Sequence, residues 1–248
     1  MSTPLFSVVL GAGLMGRLLA HTLAQAGHRV QVHEALGADG QGSAARVAAA
    51  MLAPLAESAI TEMPVVRMGH HGLTRWPELI AALPEPVFFQ QNGTLVLWHR
   101  QDAAEAKRFE GLLLRTQDQC PELPPTQRVD AQGLQALEPG LAQRFNQALY
   151  LPGEGQLDNR ELLAALLQGL TQQGVDMRWN SPAKPGDFQP GQPGQPDWVF
   201  DCRGLGARDH WTQLRGVRGE VLRLYAPEVT LQRPTRLIHP RYPIYIAP

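Results

Sequence analysis

Gly11-Ala12-Gly13-Leu14-Met15-Gly16, with Glu34 eighteen residues further on, is the grouping in this sequence best suited to holding a charged ligand. Three glycines at this spacing suit a bound diphosphate. The first permits a tight turn, the second lets the backbone approach phosphate oxygens, and the third lets a helix pack close to a strand. The phosphates would sit on free N–H groups at the helix start, where the helix dipole favours negative charge. A carboxylate about 20 residues further on is placed to bind ribose hydroxyls. A ligand-free turn explains the glycines but not the acid. The pattern predicts a dinucleotide site.

The elements around these residues must put them in one place. Phe6–Leu10 is an apolar run and reads as a strand. Leu14, Leu18, Leu19, Leu23 and Ala26 recur on one side of a helix that Gly27 closes. Arg29–Glu34 reads as a second strand, ending in the acid. Residues 35–43 hold three glycines and read as a loop. The alanine-rich stretch 44–52 predicts a short helix, with Ser43 as N-cap and Pro54 beyond its end. Val65, Met68, Gly69, Gly72, Leu73, Trp76, Leu79 and Ile80 predict the buried face of a helix running from Pro64 to near Pro84.

Asn92-Gly93 reads in two ways. It is either the turn of a hairpin between 87–91 and 93–99 or only the lead into the second strand. Asp102 and Asp130 are expected to cap helices reaching Gln119 and Leu137. Strands are expected at 147–151, 175–179, 198–201 (buried), 220–225 and 244–247, with a helix from Asp158 to Gly174. Residues 184–197, rich in Gly, Pro and Gln, predict a surface loop. Residues 158–204 thus return to helix, strand, loop, strand and glycine turn, placing Arg203-Gly204 beside the first turn.

Composition excludes several classes. The 248 residues are 44% hydrophobic and 18% charged, which fits a globular chain. A net charge of −1 gives no electrostatic case for nucleic acid or an anionic membrane. No apolar run approaches the roughly 20 residues of a membrane span. Two cysteines, Cys120 and Cys202, suggest a reducing compartment, and a cytoplasmic location is expected. Cys202 reads as a small apolar filler. His70 and His71 are adjacent and lack the spacing of two ligands on one helix face, so no metal site is expected. No Gly-x-Ser-x-Gly elbow supports serine hydrolysis.

Several segments together resemble the D-amino-acid-oxidase-like flavoproteins, and within them the glycine oxidases of thiamine biosynthesis. The opening Val8–Gly16 and Glu34 match their FAD-binding start. Residues 49–54 look like their Ala-Gly-Met-Leu-x-Pro segment, with Ala50 in place of the Gly. Residues 153–160, the turn Asp201-Cys202-Arg203-Gly204, residues 217–222 and the stretch 239–248 are similar to further family segments.

The resemblance implies FAD as cofactor. Gly11, Ala12, Gly13, Leu14, Met15 and Gly16 would hold its pyrophosphate, and Glu34 with Ala35 its adenosine ribose. Ser43, Ala44, Ala45, Ala49, Ala50 and Met51 would line the flavin side. Ala183 would meet the adenine, Gly204 would close the nucleotide pocket, and Tyr245 would contact the substrate carboxylate. Arg241, basic and close to Tyr245 in sequence, is a second candidate for that contact. Family members continue past Pro248 into a Gly-Leu-Arg-Pro segment whose arginine pairs with the substrate carboxylate. That segment does not appear here, so the chain reads as C-terminally truncated relative to the family.

The expected architecture is α/β, with a doubly wound Rossmann-like FAD-binding domain (residues 1–84 and 147–216). An inserted antiparallel-sheet substrate domain would comprise residues 85–146 and 217–248. The expected reaction is FAD-dependent oxidation of a small amino acid by oxygen, with no catalytic acid or base identified. Two alternatives stay open: an NAD(P)-dependent dehydrogenase, and a catalytically inactive FAD-binding protein. A homo-oligomer also stays open.

Overall fold

The computed structural model describes residues 4–239, 241–242 and 244–248. Pro240 and Pro243, part of the family-like stretch 239–248, lie outside the described residues. In chain order the elements begin with β1 (Phe6–Leu10), α1 (Leu14–Gln25), β2 (Arg29–His33), α2 (Ala44–Val47), β3 (Met51–Leu52) and α3 (Met63–Ala81). There follow β4 (Phe89–Gln90), β5 (Thr94–Trp98), α4 (Ala103–Gln119), β6 (Gln127–Asp130), α5 (Ala131–Leu137) and α6 (Pro139–Ala142). The remainder is β7 (Gln147–Leu151), β8 (Gly155–Leu157), α7 (Asn159–Gln172), β9 (Asp176–Arg178), β10 (Trp198–Asp201), β11 (Thr235–Ile238) and β12 (Ile244–Ile246). They form two compact units. One comprises residues up to Ala48, Ala82–Val87 and Asn159–Val221, and the other Ala49–Ala81, Phe88–Asp158 and Leu222–Pro248.

The first unit is built on a parallel sheet in the order β10-β1-β2-β9. Val9, Val30 and Val32 from the strands, Ala20 from α1 and Leu170 from α7 make its core. Both long helices end alike. Gly27 has φ +84°, its N–H bonds to Ala24, and the next N–H bonds to Leu23. Gly174 has φ +72° and repeats the pattern with Thr171 and Leu170. Each glycine takes the left-handed conformation that turns the chain back toward a strand. One expectation is corrected: β10 is not a buried strand. It is the edge of the sheet, and Trp198 is 57% exposed.

The second unit holds a five-stranded sheet, β12-β11-β5-β7-β6, and a three-stranded sheet, β3-β8-β4. The larger sheet is mixed rather than wholly antiparallel, because β5 and β11 run parallel. Strands β4 and β5 belong to different sheets, so Asn92-Gly93 leads into β5 and is not a hairpin turn. Leu149, Leu151, Val96, Phe109 and Leu113 lie in the core of this unit.

Other expectations also change. The helix from Ser43 stops after Val47, because Met51 and Leu52 pair with Gln156 and Gly155 of β8. A strand partner from a distant part of the chain overrides alanine's helix preference. Ala50, between helix and strand, has φ +57°. Helix α3 buries Leu73 as expected, but in its first turns it buries Val66 and leaves the expected Val65 and Met68 exposed. Residues 220–225 form no strand, and Leu222, Leu224 and Tyr225 are exposed. The boundaries differ as well, since α3, β7 and β8 fall in the second unit and not in the expected cofactor domain.

Candidate dinucleotide site

The turn between β1 and α1 is shaped by close backbone approach. Gly11 has φ +93°, and a Cβ there would lie 2.7 Å from the Cys202 carbonyl oxygen. A Cβ on Gly16 would fall on the Gly11 carbonyl oxygen. Neither position admits a side chain, and that is what brings α1 so close to the strand it follows. Gly13 is the N-cap of α1 and lies beside the Ser43 hydroxyl, which a Cβ would meet at 3.3 Å. The N–H groups of the first helical turn have no partners within the helix. Gly13 and Leu14 are half-exposed and Met15 is exposed.

Glu34, just past the end of β2, bonds to this turn. Its Oε2 accepts the Ala12 N–H at 2.6 Å and its Oε1 accepts the Leu36 N–H at 2.9 Å. The Gly11 N–H donates to the His33 carbonyl at 2.7 Å, which fastens the turn to β2. The Glu34 carbonyl accepts from Ser181, two residues before Ala183. On the other side of β1, the Cys202 N–H donates to Leu10, and Gly204 follows with φ +57°. The glycine turn, Glu34, Ser43 and the start of the 202–204 turn therefore come together. Ala35 is an exposed neighbour of the acid, and Ala44 and Ala45 lie on α2. Asn159, on α7, donates its side-chain amide to the carbonyls of Ala45 and Ala48, so α2 is tied to α7.

Ala49, Ala50, Met51, Arg241 and Tyr245 belong to the second unit. Arg241 is exposed in the connection between β11 and β12. The arginine beside Tyr245 is instead Arg236 of β11, whose guanidinium lies 4.9 Å from the Tyr245 ring centroid and 4.6 Å from that of Phe109. Arg236 Nη1 donates to the Ala56 carbonyl and pairs with Glu57 at 3.2 Å. Burial raises the Tyr245 phenol above its ordinary pKa.

Three notable charged residues were not anticipated from the sequence. Arg17 and Arg236 are buried, and Glu154 is 2% exposed. Arg17 was legible in principle, since it falls in the phase of Gly13, Gly16 and Ala20 on the inward side of α1. Arg203 makes a forked bond to Asp201, at 2.9 and 2.7 Å, and also reaches Asp209. That bond holds the Asp201 carboxyl below its ordinary pKa. Among the described residues, no cluster of three or more His, Cys, Asp or Glu side chains is arranged to hold a metal ion. Nor is any helix long and apolar enough to cross a membrane.

These residues fit the adenosine diphosphate part of a dinucleotide. The turn has glycine where a Cβ would crowd Ser43, an open helix start, and a carboxylate at the end of the second strand. Relatives agree. A Rhizobium etli protein named as a thiamine biosynthesis oxidoreductase, ThiO, is 38% identical over 245 residues, covering 97% of this chain and 67% of its own length. Glycine oxidase from Geobacillus kaustophilus superimposes with a TM-score of 0.66 at 22% identity, over 84% of this chain and 57% of that one. Iminodiacetate oxidase from Chelativorans sp. BNC1 gives 0.63 at 22% identity, over 83% of this chain and 57% of that one. The two solved structures show the fold alone, and the chain spans little more than half their length. Residues 7–248 match the family described as FAD dependent oxidoreductase, and the chain belongs to that family.

Proposed function

We propose that this chain binds FAD and oxidatively deaminates a small amino acid: glycine, sarcosine or a small D-amino acid. Oxygen is the acceptor, and the products are an imine or oxo acid, the freed amine (ammonia, or methylamine from sarcosine) and hydrogen peroxide. The observation that carries the cofactor half of this reading is the 2.6 Å bond from the Ala12 N–H to Glu34, which puts the acid at the glycine turn. The substrate half is supported by the names of the relatives, a ThiO and a glycine oxidase. Thiamine biosynthesis as the setting rests on the ThiO relative's name.

In this reading Gly11–Gly16 hold the diphosphate on the N–H groups of the helix start. Glu34, with Ala35 beside it, takes the ribose hydroxyls. Ala183 offers backbone groups to the adenine, and Gly204 closes the nucleotide pocket. Ser43, Ala44, Ala45, Ala49, Ala50 and Met51 are proposed for the flavin side. Tyr245 is proposed to donate its hydroxyl to the substrate carboxylate, with Arg241 as a second contact. Bound flavin supplies the acceptor for the α-carbon hydride, so the protein's task is to bind, orient and exclude water.

The test has two stages. Purified chain should carry or take up flavin and absorb in the visible, and adding glycine, sarcosine or D-alanine should bleach it and release peroxide. A yellow chain that releases peroxide with none of the three would overturn the oxidase reading. A folded, colourless chain whose fluorescence responds to NADH would overturn the choice of cofactor.

A further inference from the structure

We infer that Arg17 positions the diphosphate site by fixing the peptide between Ala12 and Gly13. The inference rests on the dinucleotide reading above. Arg17 is 2% exposed and, among the described residues, forms no ion pair within 4.0 Å. All three of its nitrogens end on carbonyl oxygens. Nε donates to Ala12 at 2.7 Å, Nη1 to Leu163 at 2.6 Å and Nη2 to Ala38 at 2.9 Å. A buried cation is costly where an apolar side chain would fill the same space, so its placement calls for a reason beyond stability.

The bond to Ala12 supplies one. In a trans peptide the C=O and N–H point in opposite directions. Drawing the Ala12 carbonyl inward to Arg17 turns the Gly13 N–H outward at the start of α1, where phosphate oxygens would arrive. The other polar group of Ala12, its N–H, is held by Glu34 at 2.6 Å. The central residue of the turn is thus clamped at both ends by side chains of opposite charge. The bonds to Ala38 and Leu163 fix the guanidinium in turn, tying the loop after Glu34 and helix α7 to the same fork. Only a planar guanidinium offers three such donors in one rigid frame, and an ammonium does not reproduce it. Burial also leaves the Arg17 charge poorly screened behind the place the diphosphate would take.

The test uses the whole 248-residue chain with ADP and adenosine as probes. Both are titrated calorimetrically into the parent, Arg17→Lys and Arg17→Met, and cooperative thermal unfolding reports that each protein is folded. The parent should bind both probes. In Arg17→Lys, ADP should weaken at least about tenfold and adenosine by no more than about twofold. Arg17→Met should show the same split at equal or larger size, and if it does not fold, Arg17→Lys decides alone. In 15N-labelled protein, ADP should shift the Gly13 amide resonance of the parent more than that of Arg17→Lys. A folded Arg17→Lys that binds ADP as tightly as the parent overturns the inference. So does equal loss of both probes, which would mean a loosened domain. A folded parent that binds neither probe overturns the dinucleotide reading itself.

Discussion

Glu34 and Glu154 each accept two backbone N–H bonds, yet they do different things. Glu34 divides its oxygens between Ala12 and Leu36 and stays half-exposed at the rim of a turn. Glu154 brings both bonds to one oxygen, Oε1, from Leu55 at 2.9 Å and Ala56 at 2.8 Å. Its Oε2 is buried and meets no backbone N–H among the described residues. Burial is the main cause that pushes the Glu154 carboxyl up to about 7, against the pull of the Ala56 N–H, the Thr94 hydroxyl and the Leu55 N–H. The same bonding motif therefore leaves a carboxylate open to contact where water and a ligand can reach it. Where neither can, it makes an internal anchor for the turn after Pro54.

The largest effect should come from removing the turn that gives Glu34 its partner. Gly16→Val drives a side chain into the Gly11 carbonyl and should destabilise the first unit by at least about 3 kcal/mol, read as a fall in its unfolding temperature. Next is the pH dependence that Glu154 imposes. Its folded pKa lies above the unfolded value, so its stabilising contribution is full below the ordinary 4.5 and is lost as pH rises through about 7. Parent stability from this group should fall by up to about 3 kcal/mol across that window, and denaturant titrations of Glu154→Gln should lack the fall. An unchanged slope in Glu154→Gln would remove the contrast with Glu34.

Glu34→Gln should weaken FAD binding by roughly 10-fold to 100-fold, the loss of about 1.5–3 kcal/mol of charge-assisted bonding, and leave folding intact. The smallest effect is at Ala50, whose φ of +57° suits glycine. Ala50→Gly should change stability by no more than about 1 kcal/mol, in the stabilising direction, because relief of left-handed strain outweighs the added freedom of the unfolded chain.

The first unit was the more legible because its signals are local. Phe6–Leu10 predicts a strand, Gly27 and Gly174 predict helix ends, and the interval to Glu34 predicts the acid at the turn. In the second unit the outcome depends on partners far along the chain. Nothing within residues 44–52 tells that Met51 will pair with Gln156, and alanine content alone argues for more helix. Asn92-Gly93 was ambiguous because β8 and β7, the partners that separate its flanking strands, lie some 60 residues later. Residues 220–225 show the reverse failure, a strand-like alternation with no strand partner among the described residues. Of the site, the donors and the acid could be read from the sequence. Arg17 was legible only in its inward phase on α1, because nothing in the sequence names the three carbonyls, of Ala12, Ala38 and Leu163, that its guanidinium meets.

The most direct test is to titrate the purified, flavin-free chain with FAD and follow the flavin spectrum and the retained flavin after gel filtration. Saturable binding near one FAD per chain is expected, weakened roughly 10-fold to 100-fold by Glu34→Gln. A folded parent that retains no FAD, or a Glu34→Gln variant that holds it as tightly as the parent does, would contradict it.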